Sequence, residues 1–168
     1  LLNEHWERLN REKNPEQIGD EHLAIKKALA NFFDLGFEGG ILTIENYVPT
    51  SDKINLKEGA TLKITQEETT IPDLTFVKTN DNTEDFAILE GNLSVENATY
   101  NSADIQTKGT ITLPNTTEEN KIDNLKIESG NLAIENLHGA NLTNAGILST
   151  KTVTVTQNIT NSGSMNVA

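Results

Sequence analysis

The chain of 168 residues contains no cysteine, which excludes a disulfide framework, a thiolate nucleophile and a thiolate metal site. Aromatic side chains are scarce at 5%, and all of them, from Trp6 to Tyr100, lie before residue 101. Both arginines, Arg8 and Arg11, fall in the first dozen residues. No run of 18 apolar residues occurs, so no membrane-spanning helix is expected, and the Leu1-Leu2-Asn3-Glu4 start lacks the basic and apolar regions of a signal peptide. Because the first residue is not Met, the chain reads as an excised piece of a longer protein. Basic charge is also short: 13 lysines and arginines face 25 acids, a net charge of −12. Such a surface repels phosphate and argues against nucleic acid or anionic membrane as a partner.

The charge is not spread evenly. The last acid is Glu135, and beyond it only His138 and Lys151 can carry charge, in a segment dominated by Asn, Thr, Ser, Gly and aliphatics. Its aliphatics keep a two-residue beat, which indicates order rather than low-complexity disorder.

Three stretches follow in chain order. Residues 1–18 read as a helical lead segment with Leu2, Trp6 and Leu9 on one face, ended by Asn14-Pro15. Residues 19–38 read as a capping helix. Asp20 is its N-cap, Leu23, Ile25, Ala28, Leu29, Phe32 and Phe33 form its apolar face, and Gly36 sits at the left-handed C-terminal position. From 39 to 168 the period becomes two, with apolar pairs such as Leu42/Ile44, Leu62/Ile64, Phe86/Ile88, Leu93/Val95, Leu132/Ile134 and Met165/Val167, separated by Gly, Asn, Asp and Pro.

One heptamer occurs three times: Gly40-Ile-Leu-Thr-Ile-Glu45-Asn46, Gly91-Asn-Leu-Ser-Val-Glu96-Asn97 and Gly130-Asn-Leu-Ala-Ile-Glu135-Asn136. The 39 residues between the second and third copies equal two turns of a parallel β-solenoid, and the 51 between the first and second equal two turns plus a side loop near 78–85. An echo at Leu142-Thr-Asn-Ala-Gly146 and Ile159-Thr-Asn-Ser-Gly163 is 17 residues apart, close to one turn. A solenoid explains such repeats because one backbone position returns on every turn and wants the same residue, with Gly and Asn at corners. The fold expected is therefore all-β, a right-handed parallel β-helix of about six turns with an N-terminal α-helical cap. A pentapeptide-repeat solenoid, prompted by the five-residue spacing of Ile122, Ile127, Leu132, Leu137, Leu142 and Ile147, ranks below it.

The run from Gly19-Asp20 through Leu23–Leu29, Gly39-Gly40-Ile-Leu-Thr-Ile, Pro49-Thr-Ser, Ile54-Asn-Leu and Gly59-Ala-Thr-Leu-Lys-Ile64 resembles the opening of the pectin lyase-like right-handed β-helix superfamily, which includes many phage tailspikes. That resemblance implies a helix capping the first coil and the Gly-Gly starting its first strand. The segment from Leu142 to Ala168 is similar to the Asn-x-Gly turns of filamentous haemagglutinin-type adhesins. The front peptide Asn3–Asn10 is similar to helical segments of tail-fibre and baseplate proteins of phages of Gram-positive hosts.

The superfamily's enzymes use a calcium-bound carboxylate cluster with an arginine base, or neighbouring Asp residues with His and Arg. Here the β region has no arginine, His138 as its one histidine, and no Asp-Asp element. The acid pairs Glu67-Glu68, Glu84-Asp85 and Glu118-Glu119 read as solvated loop residues. The repeated Glu45, Glu96 and Glu135 lie two turns apart, too far for shared ligation of a metal. Asn80–Asp85 alternates oxygen ligands but lacks the glycine of a calcium loop. Neither a catalytic centre, a metal site nor a cofactor is expected. The repeat residues Gly40, Glu45, Asn46, Gly91, Glu96, Asn97, Gly130, Glu135, Asn136, Gly146 and Gly163 are expected to be structural.

The expected role is a non-enzymatic structural or attachment module, extracellular or on a virion surface, as a segment of a phage tail spike or tail fibre. The alternatives are a secreted bacterial adhesin or surface filament, and the N-terminal part of a polysaccharide-degrading enzyme. Expected partners are copies of itself, as a homotrimer or a self-stacked array, and surface polysaccharide. Asn166-Val167-Ala168 reads as an open strand, so either the native chain continues or another chain covers this end.

Overall fold

A computed structural model describes residues 41–44, 53–65, 67–78 and 85–168, and the helical lead segment and capping helix expected from the sequence lie outside them. Eleven strands occur: β1 (Ile41–Ile44), β2 (Lys53–Lys57), β3 (Thr61–Ile64), β4 (Thr69–Val77), β5 (Ala87–Thr99), β6 (Ala103–Thr112), β7 (Ile122–Ala133), β8 (Asn136–Asn144), β9 (Ile147–Thr150), β10 (Thr152–Asn161) and β11 (Ser164–Val167). Every pairing among them is parallel, and each strand lies against the one a turn earlier, which makes a β-solenoid of about six turns.

Parallel pairing turn after turn stacks equivalent residues into columns at about 4.8 Å. One column runs Ala87, Ile105, Leu125, Leu142, Ile159, and another runs Leu93, Ile111, Leu132, Leu148, Met165. Both point inward until the last turn, where Ile159 is 53% exposed. A third inward set stacks Ile54 on Leu74 and Leu56 on Phe76, and Phe76 in turn stacks on Tyr100 with ring centroids 5.8 Å apart. Strand alternation thus delivers a continuous apolar interior from a chain that is only 35% hydrophobic.

A glycine stands at the corner between the first and second strand segments of each turn. Gly91 pairs with Gly109 and Gly109 with Gly130, and Gly146 and Gly163 continue the column. The backbones approach so closely that a Cβ on Gly130 would lie 2.1 Å from the Gly109 carbonyl oxygen, and one on Gly163 2.0 Å from that of Gly146. Gly91, Gly109 and Gly130 also have positive φ, which lets β5, β6 and β7 bend round the corner as continuous strands.

Two details depart from the sequence reading. The pair pointing inward at the start of β5 is Ala87/Leu89, while Phe86 and Ile88 are half-buried. Bulk favoured Phe86/Ile88, but register with Ile105 and Thr107 fixes the opposite face, and a slip of one residue inverts every side chain. The first heptamer copy is out of phase with the other two. Leu42 shares a column with Leu62 and Leu89, whereas its heptamer counterpart Leu93 pairs with Ile111, so the offset is four residues. The long turn between Leu62 and Leu89 holds the side-loop region, and a loop of that size frees the coil before it from the phase of the coil after it.

The five-residue spacing that prompted a pentapeptide solenoid also has an explanation. Ile122, Ile127, Leu132, Leu137 and Leu142 are all buried, in successive short strand segments, three of which complete a turn. At Ile147 the spacing fails: it is 42% exposed and Leu148 is buried instead.

Candidate binding groove and its asparagine ladders

Corners in a solenoid leave backbone groups that strands do not pair, and here asparagines meet that need. Asn120 accepts from the Tyr100 amide at 2.7 Å and donates to the Ala98 carbonyl at 3.1 Å, clamping one corner to the turn before it. Asn101 donates to the Phe76 carbonyl at 2.9 Å and Asn97 to the Pro72 carbonyl at 3.0 Å. Asn101 and Ser102 both take positive φ, 52° and 56°, directly after Tyr100. Tyr100 is fully buried and its hydroxyl donates to the Pro114 carbonyl, and burial pushes its phenol well above the ordinary range.

In the late turns the asparagines pair with one another. Asn144, wholly buried, donates to Asn161 Oδ1 and to the Ser164 carbonyl, both at 2.8 Å, and accepts from the Gly146 amide at 3.1 Å. A second ladder joins Asp104, Asn124, Asn141 and Asn158 across four turns.

The principal concavity lies on the outside of the coil, at the corner that follows the second strand segment. It is a groove of about 980 Å³ that crosses four turns, lined by Thr112–Asn115, Ala133–Glu135, Ser149–Lys151 and Met165–Ala168. Three intervals of strand spacing give it a run of roughly 14 Å along the coil axis. Asn115, Glu135 and Lys151 stand in file, one per turn. Asn115 Oδ1 accepts the Asn136 amide at 2.9 Å while its Nδ2 donates to Glu135 at 3.4 Å, and Glu135 pairs with Lys151. Their backbones are coupled as well, since the Lys151 amide donates to the Glu135 carbonyl at 2.8 Å. The Lys151 hydrogen bond first, then that of Asn115 and the Lys151 charge, hold the Glu135 carboxyl below its usual range. Both charged side chains remain exposed, 49% for Glu135 and 63% for Lys151, so an incoming ligand meets them directly. Their charges cancel, leaving a neutral strip of amide, hydroxyl and aliphatic groups on an acidic protein.

The repeat residues fall in different places. Gly91, Gly130, Gly146 and Gly163 share the glycine column, with Gly109 as the member that the heptamer did not reveal; its spacings of 18 and 21 residues from Gly91 and Gly130 are the signal that points to it. Glu135 lies in the groove, whereas Glu96 is exposed on β5. Asn97 binds the preceding turn, and Asn136 accepts from the Thr116 and Thr152 hydroxyls at 2.8 and 2.7 Å. Gly40, Glu45, Asn46 and most of the Asn80–Asp85 stretch lie outside the described residues. Glu68 accepts from the Ser94 hydroxyl at 2.8 Å, and Glu118 and Glu119 are exposed. Among the described residues no three His, Asp or Glu side chains lie together as a metal site would require. The sequence reading missed the groove, the buried Asp104 and the Tyr100 corner.

Compared with known proteins, the chain matches no family model, no curated protein and no solved structure.

Proposed function

We propose that this chain is a non-enzymatic attachment module on a right-handed, pectin lyase-like solenoid, a segment of a phage tail spike or tail fibre that contacts surface polysaccharide outside the cell. The observation that carries the reading is the groove across four turns. Its length along the axis fits an extended polymer rather than a compact metabolite, and its file of Asn115, Glu135 and Lys151 offers donors and acceptors at a repeat of one turn. The ladders keep that file in place without a ligand, which lowers the ordering cost of binding. A secreted adhesin is the second reading, favoured by the Asn144/Asn161 and Gly146/Gly163 corners, whose Asn-x-Gly turns stack on one another.

The test is co-sedimentation of the purified chain with insoluble cell-wall and capsular polysaccharide, with the glycan sized before and after incubation. Saturable binding that Lys151→Glu and Thr112→Trp each weaken tenfold or more, with glycan length unchanged, supports the reading. Absence of binding to any preparation overturns it, and a shortened glycan replaces it with the degrading-enzyme alternative.

A further inference from the structure

The ladder of Asn158, Asn141 and Asn124 ends on a carboxyl group. Each amide donates from Nδ2 to the Oδ1 of the residue one turn earlier: Asn158 to Asn141 at 3.2 Å, Asn141 to Asn124 at 2.8 Å and Asn124 to Asp104 at 2.6 Å. Donation runs one way, so the head of the ladder has only to accept, and Asp104 Oδ1 does so. Its other oxygen, Oδ2, has no hydrogen-bond partner among the described residues, and Asp104 is 0% exposed. Ionised, this group buries a charge with half of its acceptor surface unsolvated. Protonated, it keeps the Oδ1 acceptor and removes the charge.

The surrounding charges do not reverse this preference. Lys78 attracts Asp104, but its ammonium lies 3.8 Å from Asp123 Oδ2, and Asp123 repels Asp104. Lys121 is directed at Asp123, at 4.0 Å. On the flanking strands Lys108 pairs with Glu128 at 3.3 Å, Glu90 on β5 lies opposite Lys108, Lys126 on β7 lies opposite Gln106, and Asp85 precedes β5. Burial raises the Asp104 carboxyl above the usual carboxylate range, with the Asn124 hydrogen bond and Lys78 opposing and Asp123 reinforcing.

We propose that Asp104 is a proton-operated lock on the middle of the coil: with its proton it closes the asparagine ladder, and on ionisation it loosens the β6–β7 stack from which the ladder starts. A carboxyl raised in the folded state favours folding most below its unfolded value of about 3.9, and that contribution is lost as pH rises through the raised value. The ladder supplies the direction of the switch and the orphaned Oδ2 supplies its sensitivity.

The test compares equilibrium unfolding of the wild-type chain and Asp104→Asn from about pH 4 to about pH 8. Asparagine keeps the acceptor for Asn124 and cannot ionise. The expected result is a folding equilibrium constant for the variant that gains on the wild type by tenfold or more between the acidic and the alkaline end. Parallel curves overturn the proposal. Should the variant fail to fold, a carbon-13 titration of the wild-type Asp104 carboxyl decides. A midpoint above the ordinary aspartate value of about 3.9 supports the lock, and a midpoint at or below it overturns it.

Discussion

One inward column changes chemistry as it passes along the coil: Leu62 and Leu89 in the early turns, Thr107 and Ile127 in the middle, Asn144 and Asn161 at the end. The early turns fill their interior with bulk, including Phe76, Tyr100, Ile54 and Leu74, while the late turns place amides where the early ones place leucine. The two solutions are held by different forces. Leucine gains roughly 1.5–3 kcal/mol from leaving water and tolerates any neighbour of suitable shape. A buried asparagine gains little by transfer and is stable only if each of its groups finds a partner, as those of Asn144 do. The difference teaches that polar columns fix register by hydrogen-bond direction, whereas apolar columns fix only which face is inside.

The largest expected effect tests what both regions share. Gly130→Val places a branched side chain against the Gly109 backbone in a positive-φ corner and should cost about 4 kcal/mol or more, or abolish folding, as read by chemical denaturation. Gly59→Ala is the control: its φ is +75° but nothing lies within 4 Å of a Cβ, so the cost should be only about 1 kcal/mol. Equal losses at the two sites would show that φ alone, not close stacking, makes the column glycine.

Next in size is a pair within the changing column. Leu89→Ala should cost about 3 kcal/mol through the cavity it leaves. Asn144→Leu, which keeps volume but orphans the Gly146 amide and the Ser164 carbonyl, should cost about 2 kcal/mol. A neutral Asn144→Leu would collapse the distinction between the two regions. Tyr100→Phe should cost about 1 kcal/mol at neutral pH by leaving the Pro114 carbonyl unmet, with the Phe76 stack intact.

The smallest effect lies on the groove. Lys151→Ala should leave the melting temperature almost unchanged while raising the Glu135 carboxyl, measured by NMR titration. The sign follows from linkage: a carboxyl held low in the fold adds stability above its unfolded value, and that addition is lost as pH falls through the lowered value. Glu135 therefore opposes Asp104, whose contribution is lost as pH rises, and the double variant Asp104→Asn/Lys151→Ala should flatten the pH profile.

Much of the coil was legible from residues alone. The spacing of Gly91 and Gly130 announced two turns, and the Asn144-Ala-Gly146 and Asn161-Ser-Gly163 pair announced one, because a stacked corner admits few residue types. Phase was less legible. Ala87 carries too little bulk to mark an inward face, and the first heptamer copy matches the others in letters while its strand pairs four residues away. The groove was not legible at all, since Asn115, Glu135 and Lys151 are 20 and 16 residues apart and only stacking makes them neighbours.

The sequence by itself determined that this chain coils: alternation chose strands, recurring Gly and Asn chose corners, and the absence of cysteine left packing and hydrogen bonds to hold them. Tertiary structure decided which face each strand buries, where a carboxyl loses water at Asp104, and where a neutral groove opens on an acidic surface. The physical reason is that a repeat specifies contacts of a residue with its own kind one turn away, while burial and electrostatics depend on everything stacked beside it.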